Sequence, residues 1–236
     1  MTGSGQDGRY AAVLFDVDGT LMDTVPLHTV AWWEALRQSG RTVAMTDIQR
    51  AVGMDGTHLL DTLVGGDRDR GGDAGLKGAH DAVYAQFWSR LAPLEGAADL
   101  VRACAARGLR VVLASSASGR EAEVMVGALG AGDAVHAVTT SDDVEAGKPA
   151  PDVVRRALER ADVAPGRAVF VGDAVWDLQS AGKAGVTGLG VLTGGGYSRE
   201  ELLEAGAARV YRSPADLLER LDDSPIGALA AGKSPG

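Results

Sequence analysis

The most constraining feature of this chain is short. Residues 10–15, Tyr-Ala-Ala-Val-Leu-Phe, are apolar without a break, and the run stops at Asp16-Val17-Asp18-Gly19-Thr20. An apolar run with no polar alternation predicts a strand covered on both faces, as strands of parallel sheets are. Two aspartates at alternate positions directly after it place two carboxylates near one point. That point is the carboxyl end of a strand, where open α/β sheets bind their ligands.

From residue 93 onward, strand and helix signals alternate. Helix 97–107 ends at Gly108, strand 109–114 stops at Ser115, and helix 119–129 and a short strand at 135–139 follow. Then come helix 151–161, strand 168–172, helix 177–184, strand 186–192, helix 198–205, strand 208–211 and helix 214–221. Such alternation predicts a parallel sheet with right-handed crossovers. Residues 22–92 read as helices only. Pro26 suits the first turn of a helix reaching Ser39, and Gly40 ends it. Thr46 and Gln49 have capping-box spacing for a second helix. Segments 57–64 and 76–91 are also helical, joined by the exposed Gly- and charge-rich loop VGGDRDRGGDAG. The expected fold class is α/β: a doubly wound, Rossmann-like parallel-sheet core of 8–21 plus 93–222. An all-helical cap domain is inserted at 22–92, with a loose leader at 1–9 and a flexible tail at 223–236.

The strand ends collect polar residues. The second strand ends in Ser115-Ser116. The third leads through SDDVEAG to Lys148-Pro149, and the fourth ends in Gly172-Asp173 with Asp177 four residues on. A strand-end Asp is often only the N-cap of the next helix. That accounts for Asp173 or Asp177 singly, but not for Asp16 together with Asp18. Gathered carboxylates repel, and burying them is unfavourable unless a cation sits among them. Hard oxygen donors suit Mg²⁺, which also takes phosphate oxygens. Asp16, Asp18, Asp173 and Asp177 are therefore the expected metal site. The Ser115 hydroxyl and Lys148 ammonium suit an anionic substrate.

Composition bears on partners. Lys plus Arg number 23 and Asp plus Glu 32, a net charge of −9, which disfavours electrostatic binding to nucleic acid or an anionic membrane. Only four lysines occur, Lys77, Lys148, Lys183 and Lys233, so a compact ammonium at a strand end stands out. The single cysteine, Cys104, excludes an internal disulfide framework or a cysteine-based zinc site, and it reads as inert core. No apolar run approaches the roughly 18 residues that span a bilayer. The start, MTGSGQDGRY, lacks a signal pattern. The expectation is a cytoplasmic monomer, at most a weak homodimer, with no nucleic-acid or membrane partner.

FDVDGTLMDT at 15–24, the serine after the second strand, Gly-Lys-Pro at 147–149 and VGDAVWD at 171–177 form a recognisable series. In order and spacing they resemble the four motifs of the haloacid dehalogenase-like hydrolase superfamily. The insertion after the first motif resembles the cap of its phosphoglycolate phosphatase and β-phosphoglucomutase branch. The resemblance implies a Mg²⁺-dependent phosphatase of a small phosphorylated metabolite, working through an aspartyl-phosphate. It implies Asp16 as nucleophile, and Asp18 as general acid and then base, with its main-chain carbonyl on the metal. Asp173 becomes a direct metal ligand, and Asp177 acts through water or by holding Lys148. Ser115 bonds the transferring phosphoryl group, and Lys148 offsets charge between nucleophile and phosphate. Gly19, Thr20, Ser116 and His28 fall on the substrate side. True dehalogenases resemble the chain at the nucleophile but lack the second Asp, so Asp18 argues for phosphate chemistry.

Two other readings compete. DTVPLHTVAWWEAL (23–36) resembles the cap entry of the mutases. Those carry an arginine where this chain reads VGMDGTHLL (52–60), with only His58 as substitute, and Glu-Asp where it has Gly172-Asp173. Phospho-acceptor receiver domains also join carboxylates, Ser/Thr and Lys on an α/β sheet. They need neither the second Asp nor a helical insertion. Among the remaining residues, His28 is either a contact to Asp18 or a surface histidine. Lys77 and His80 are expected on a solvated face, one of Trp32 and Trp33 in a core, and Trp176 at the site's mouth. GALAAGKS (227–234) matches the phosphate-loop pattern, but Ser224-Pro225 precedes it rather than a buried strand, so it is set aside.

Overall fold

The computed structural model describes residues 10–235. The expected leader at 1–9 lies outside the described residues. Six strands, β1 (Ala12–Phe15), β2 (Arg110–Ala114), β3 (Ala137–Thr139), β4 (Ala168–Gly172), β5 (Thr187–Val191) and β6 (Ala207–Tyr211), form one sheet. Their order is β3-β2-β1-β4-β5-β6, with every pairing parallel. The chain starts at the centre, winds to one edge, and returns to lay β4 against the free side of β1. The order therefore reverses between β1 and β4, the switch point at which such sheets open a ligand crevice.

Between β1 and the first core helix the chain forms α1 (Val25–Gln38), α2 (Met45–Ala51), α3 (Gly56–Val64) and α4 (Asp73–Tyr84). These share a small core of their own, including Trp32, Leu36, Ile48, Leu59, Leu60 and Leu76. The two connections to the sheet run side by side: the Asp23 N–H donates to Ala92 O (3.1 Å) and the Leu94 N–H to Leu21 O (2.9 Å).

Side chains of successive strand residues point to opposite faces, and both faces are covered. Val13, Phe15, Val111, Leu113, Val169 and Val171 pack against α5 (Ala97–Ala106) and α6 (Gly119–Leu129) on one side. Ala12, Leu14, Val112, Ala114 and Phe170 pack against α7 (Asp152–Ala161) and α8 (Val175–Lys183) on the other. Two-sided burial is what the unbroken run at 10–15 demanded. Each large apolar side chain so buried contributes about 1.5–3 kcal/mol. Beyond β5 lie α9 (Arg199–Glu204), β6 and α10 (Pro214–Glu219).

The structure corrects four local expectations. The first part of the expected tail is not loose: Ser224 accepts hydrogen bonds from the Ile226 and Gly227 N–H groups and opens α11 (Pro225–Ala230). Ile226 and Leu229 of that helix are fully buried among the residues over Val169 and Val171. Two apolar residues three apart behind a Ser-Pro start suffice for a docked turn, although the flanking Gly and Ala suggested slack. The Thr46–Gln49 capping box does not form. The chain is extended at Ala44 and turns helical at Met45, so Thr46 already lies inside α2. Helix α4 starts at Asp73, and its expected end, Ala85–Arg90, winds as a 3-10 helix. The charged loop before it is pinned where Arg68, its side chain 5% exposed, pairs with Asp61 and Asp73.

Candidate active site

Asp16 follows β1 directly, and its N–H donates to Val171 O (2.9 Å), so β1 and β4 fix its position from both sides. Lys148 is completely buried; its ammonium donates to Asp16 and stands 2.8 Å from Asp177 Oδ1. Asp177 sits in the first turn of α8 and also accepts the Ala174 N–H (3.1 Å). Asp173 accepts the Thr20 hydroxyl (3.0 Å). Oxygens of Asp16, Asp173 and Asp177 all lie within 4.8 Å of one another.

Glycine is required twice around this trio. Gly19 has φ +75°, and a Cβ there would meet Asp173 Oδ2 at 2.6 Å; one on Gly194 would meet the same oxygen at 1.7 Å. Backbone thus closes over Asp173 from two loops, tied together where the Thr193 hydroxyl donates to Gly19 O (2.6 Å).

The electrostatics are those of a cation site. Burial, reinforced by Asp177 and opposed by Lys148, pushes the Asp16 carboxyl up to about 7. Burial, with Asp177 and Asp16 adding, holds Asp173 well above the usual carboxylate range. Burial would also discharge Lys148, but Asp16 and Asp177 override it and keep the ammonium charged. One ammonium faces three buried carboxylates. An all-oxygen donor set with surplus negative charge fits a hard divalent cation such as Mg²⁺.

Asp18 is turned away from the trio. Its Oδ1 accepts the Thr24 hydroxyl and lies 3.1 Å from His28 Nε2. Burial works against the charged forms of both partners, but their mutual attraction prevails. Asp18 is held below the usual carboxylate range and His28 above that of a free histidine. His28 is thus a buried contact to Asp18, not a surface residue. Behind it, His28 Nδ1 lies 3.1 Å from His80 Nε2, and Tyr84 stacks on the His28 ring at 3.9 Å.

A cavity of about 360 Å³ opens from Asp16, Asp18 and Ser115 up to the cap. The cap is seated over it: the Ser116 hydroxyl donates to Gly53 O (3.3 Å) and the Asp55 N–H to Lys148 O (3.3 Å). Ser115 is fully buried, and its hydroxyl accepts the Ala117 N–H (3.0 Å).

The other expected substrate contacts have structural duties here. The Gly19 N–H donates to Met22 O (2.8 Å), the Thr20 N–H to Val17 O (3.3 Å), and Ser116 bridges core to cap. Trp176 is not at the mouth. Its indole N–H donates to Arg50 O (3.0 Å), and it lines a second groove of about 600 Å³ between α2, α8 and α9.

Sequence reasoning missed the cap wall. His80, expected on a solvated face, is buried, and Trp32 stacks on it at 4.4 Å. The signal was present: Leu76, His80 and Tyr84 recur every four residues and mark one buried helix face. Lys77, half-buried on α4, lines the cavity and donates to the Thr57 hydroxyl (3.0 Å). Glu121 on α6 also lines it. After Ser118 it reads as a capping-box residue, and nothing in the sequence singles it out.

A carboxylate trio and a buried lysine at the switch point of a Rossmann-like sheet, under a helical roof, define a capped α/β hydrolase. The chain belongs to the haloacid dehalogenase-like hydrolase family, whose model matches residues 10–185. It is 31% identical over 236 residues to a phosphoglycolate phosphatase of Rhodospirillum rubrum, covering 95% of this chain and 96% of that one. It is 30% identical over 187 residues to the fructose-1-phosphate phosphatase YqaB of Escherichia coli, covering 78% and 97%. A solved hydrolase from Pseudomonas syringae superposes with a TM-score of 0.85 at 34% identity, covering 90% of this chain and 98% of that one.

Proposed function

We propose that the protein is a Mg²⁺-dependent phosphatase that hydrolyses a small organic phosphomonoester through an aspartyl-phosphate on Asp16, with residues 22–92 as its cap domain. The carrying observation is the separation of two carboxylate environments. Asp16 stands with Lys148, Asp173 and Asp177, while Asp18 is bound apart by Thr24 and His28. Their partners give the two carboxyl groups different work: Asp16 is paired with a lysine beside two further carboxylates, whereas Asp18 is joined to a histidine with which it can exchange a proton.

A bound Mg²⁺ would be held by Asp16 and Asp173, by the Asp18 carbonyl, and by Asp177 through water, and it would neutralise phosphate charge. The chain's own residues do the rest. A carboxylate oxygen of Asp16 attacks phosphorus, and the ester P–O bond breaks as the acyl-phosphate forms. Lys148 offsets the charge between the two anions, and Ser115 orients the phosphoryl group. Thr24 and His28 both engage Oδ1 of Asp18, and Asp18 passes to the departing alkoxide the proton that it receives from His28. The proton is held by the Asp18–His28 pair. In the second half Asp18 takes a proton from water, the water oxygen bonds to phosphorus, and Asp16 leaves as carboxylate.

A mutase must grip a second phosphate. Among the described residues the cavity lining holds no arginine, and His58, the expected substitute, is outside it and bonded to Asp55. That favours hydrolysis. The test is Mg²⁺-dependent hydrolysis of p-nitrophenyl phosphate. Its absence would sink the reading, and isomerisation of glucose 1-phosphate with a bisphosphate present would replace it with the mutase. The reading also takes the working protein as a cytoplasmic monomer, which fractionation and light scattering test.

A further inference from the structure

One buried polar atom in the cavity is left without a hydrogen bond among the described residues. Glu121 is 8% exposed, and its Oε1, shut away from solvent, accepts no hydrogen bond among the described residues. The nearest donor is His28 Nε2 at 3.5 Å, but that nitrogen has a single hydrogen and Asp18 stands closer at 3.1 Å. A buried acceptor left unmet is unfavourable, and native structures satisfy nearly all of them. Glu121 lines the same cavity as Asp18 and the cap residues Asp55, Lys77 and His80, beside the His28 that pairs with Asp18. The rest of that lining adds acid: Asp55 and Asp81 on the cap, and Glu145 on the core, against Lys77, already bonded to Thr57, and His28, already paired with Asp18.

Resting on the phosphatase reading, we propose that Glu121 determines specificity by accepting a hydrogen bond from a hydroxyl or ammonium group of the substrate's leaving portion. The substrate class is then a polyhydroxylated or amino phosphomonoester with no second anionic group. A hydroxyl supplies the donor that Oε1 lacks. A carboxylate or second phosphate supplies none and sets another negative charge among Asp55, Asp81 and Glu145. Such a mismatch discriminates more strongly than shape alone, because it leaves a buried polar group unpaired.

Matched pairs test this: glycerol 3-phosphate against 3-phosphoglycerate, and sorbitol 6-phosphate against 6-phosphogluconate. Each pair differs in an alcohol or a carboxylate at the far end. Each compound is assayed as substrate and as competitive inhibitor of p-nitrophenyl phosphate hydrolysis, so a poor substrate still reports its binding. The expected result is tighter binding of both alcohols, by about 10-fold or more, the scale of a hydrogen bond to a charged group. In Glu121→Gln, nearly the same shape, the preference narrows through KM or Ki rather than kcat. Equal or tighter binding of the acids by the wild type, or an unchanged preference in a folded Glu121→Gln, overturns the proposal. If p-nitrophenyl phosphate itself is not hydrolysed, the phosphatase reading has failed and this proposal falls with it. If it is hydrolysed and the pairs show no preference, only this proposal falls.

Discussion

At the scale of single residues, the site is a balance between Lys148 and the carboxylates around it. Removing one partner of a buried ion pair destabilises by about 3–5 kcal/mol, because the other charge is left uncompensated. Lys148→Ala should therefore lower both the melting temperature and the turnover, and the thermal deficit should be larger at pH 8 than at pH 5, where Asp16 and Asp173 can take protons. Differential scanning calorimetry at both pH values checks this. Asp16 itself carries a sign. Its folded value, pushed up to about 7, lies above that of an unfolded aspartate. Its contribution is then fully present below about pH 4 and lost as pH rises through 7. Metal-free protein should lose stability over that window. These residues were legible because strand ends point at the crevice: Asp16, Asp18, Lys148, Asp173 and Asp177 all follow strands or their loops. Glu121 was not, and the helix period that marks His80 as buried does not tell what it meets. Their contacts depend on α1, α4 and α6 meeting, which no local pattern encodes.

At the scale of elements, the sheet and its helices could be read from periodicity, while the last turn could not. Helix α11 is six residues of small and apolar side chains, short enough that composition spoke for slack and only packing shows otherwise. Ile226→Ala should cost about 2–5 kcal/mol in urea unfolding, the range for a large-to-small change in a packed core. A change below about 0.5 kcal/mol would mean that the tail does not dock. The cap has a second attachment besides its two connections. Arg50 of α2 pairs with Glu201 (2.7 Å), donates to Gly196 O (2.7 Å), and lies over the Tyr197 ring at 4.6 Å. Both ends of the ion pair are partly exposed, so its thermodynamic weight is small, under about 1 kcal/mol. Its effect should appear in cap motion instead: Arg50→Ala should speed hydrogen exchange in α2 with little change in melting temperature. This contact was invisible in sequence because residues 50 and 201 lie far apart in the chain. Trp176 was misplaced for the same reason.

At the scale of the whole molecule, the acidic balance and the fold meet in one crevice. Part of the net charge of −9 is not surface: Asp16, Asp173 and Asp177 are buried at the switch point, within reach of one another and of a single ammonium. Mg²⁺ should therefore stabilise the entire chain. At a hundredfold excess over its dissociation constant the gain is about 2.7 kcal/mol, or roughly 5–10 °C for a protein of this size. The gain should be larger at pH 8 than at pH 5, because protons compete for Asp16 at the lower pH. A chelator should abolish both the thermal shift and the activity.

The central claim is that Asp16 takes the phosphoryl group. The most direct measurement uses Asp18→Asn, which lacks the base for the second half-reaction. It is mixed with Mg²⁺ and p-nitrophenyl phosphate, quenched in acid, and mapped by peptide mass spectrometry. The account predicts one phosphoryl group, on the peptide that contains Asp16 and on that residue. A phosphoryl group on another residue, or none on the variant or on the quenched wild type while the wild type turns over, would contradict it.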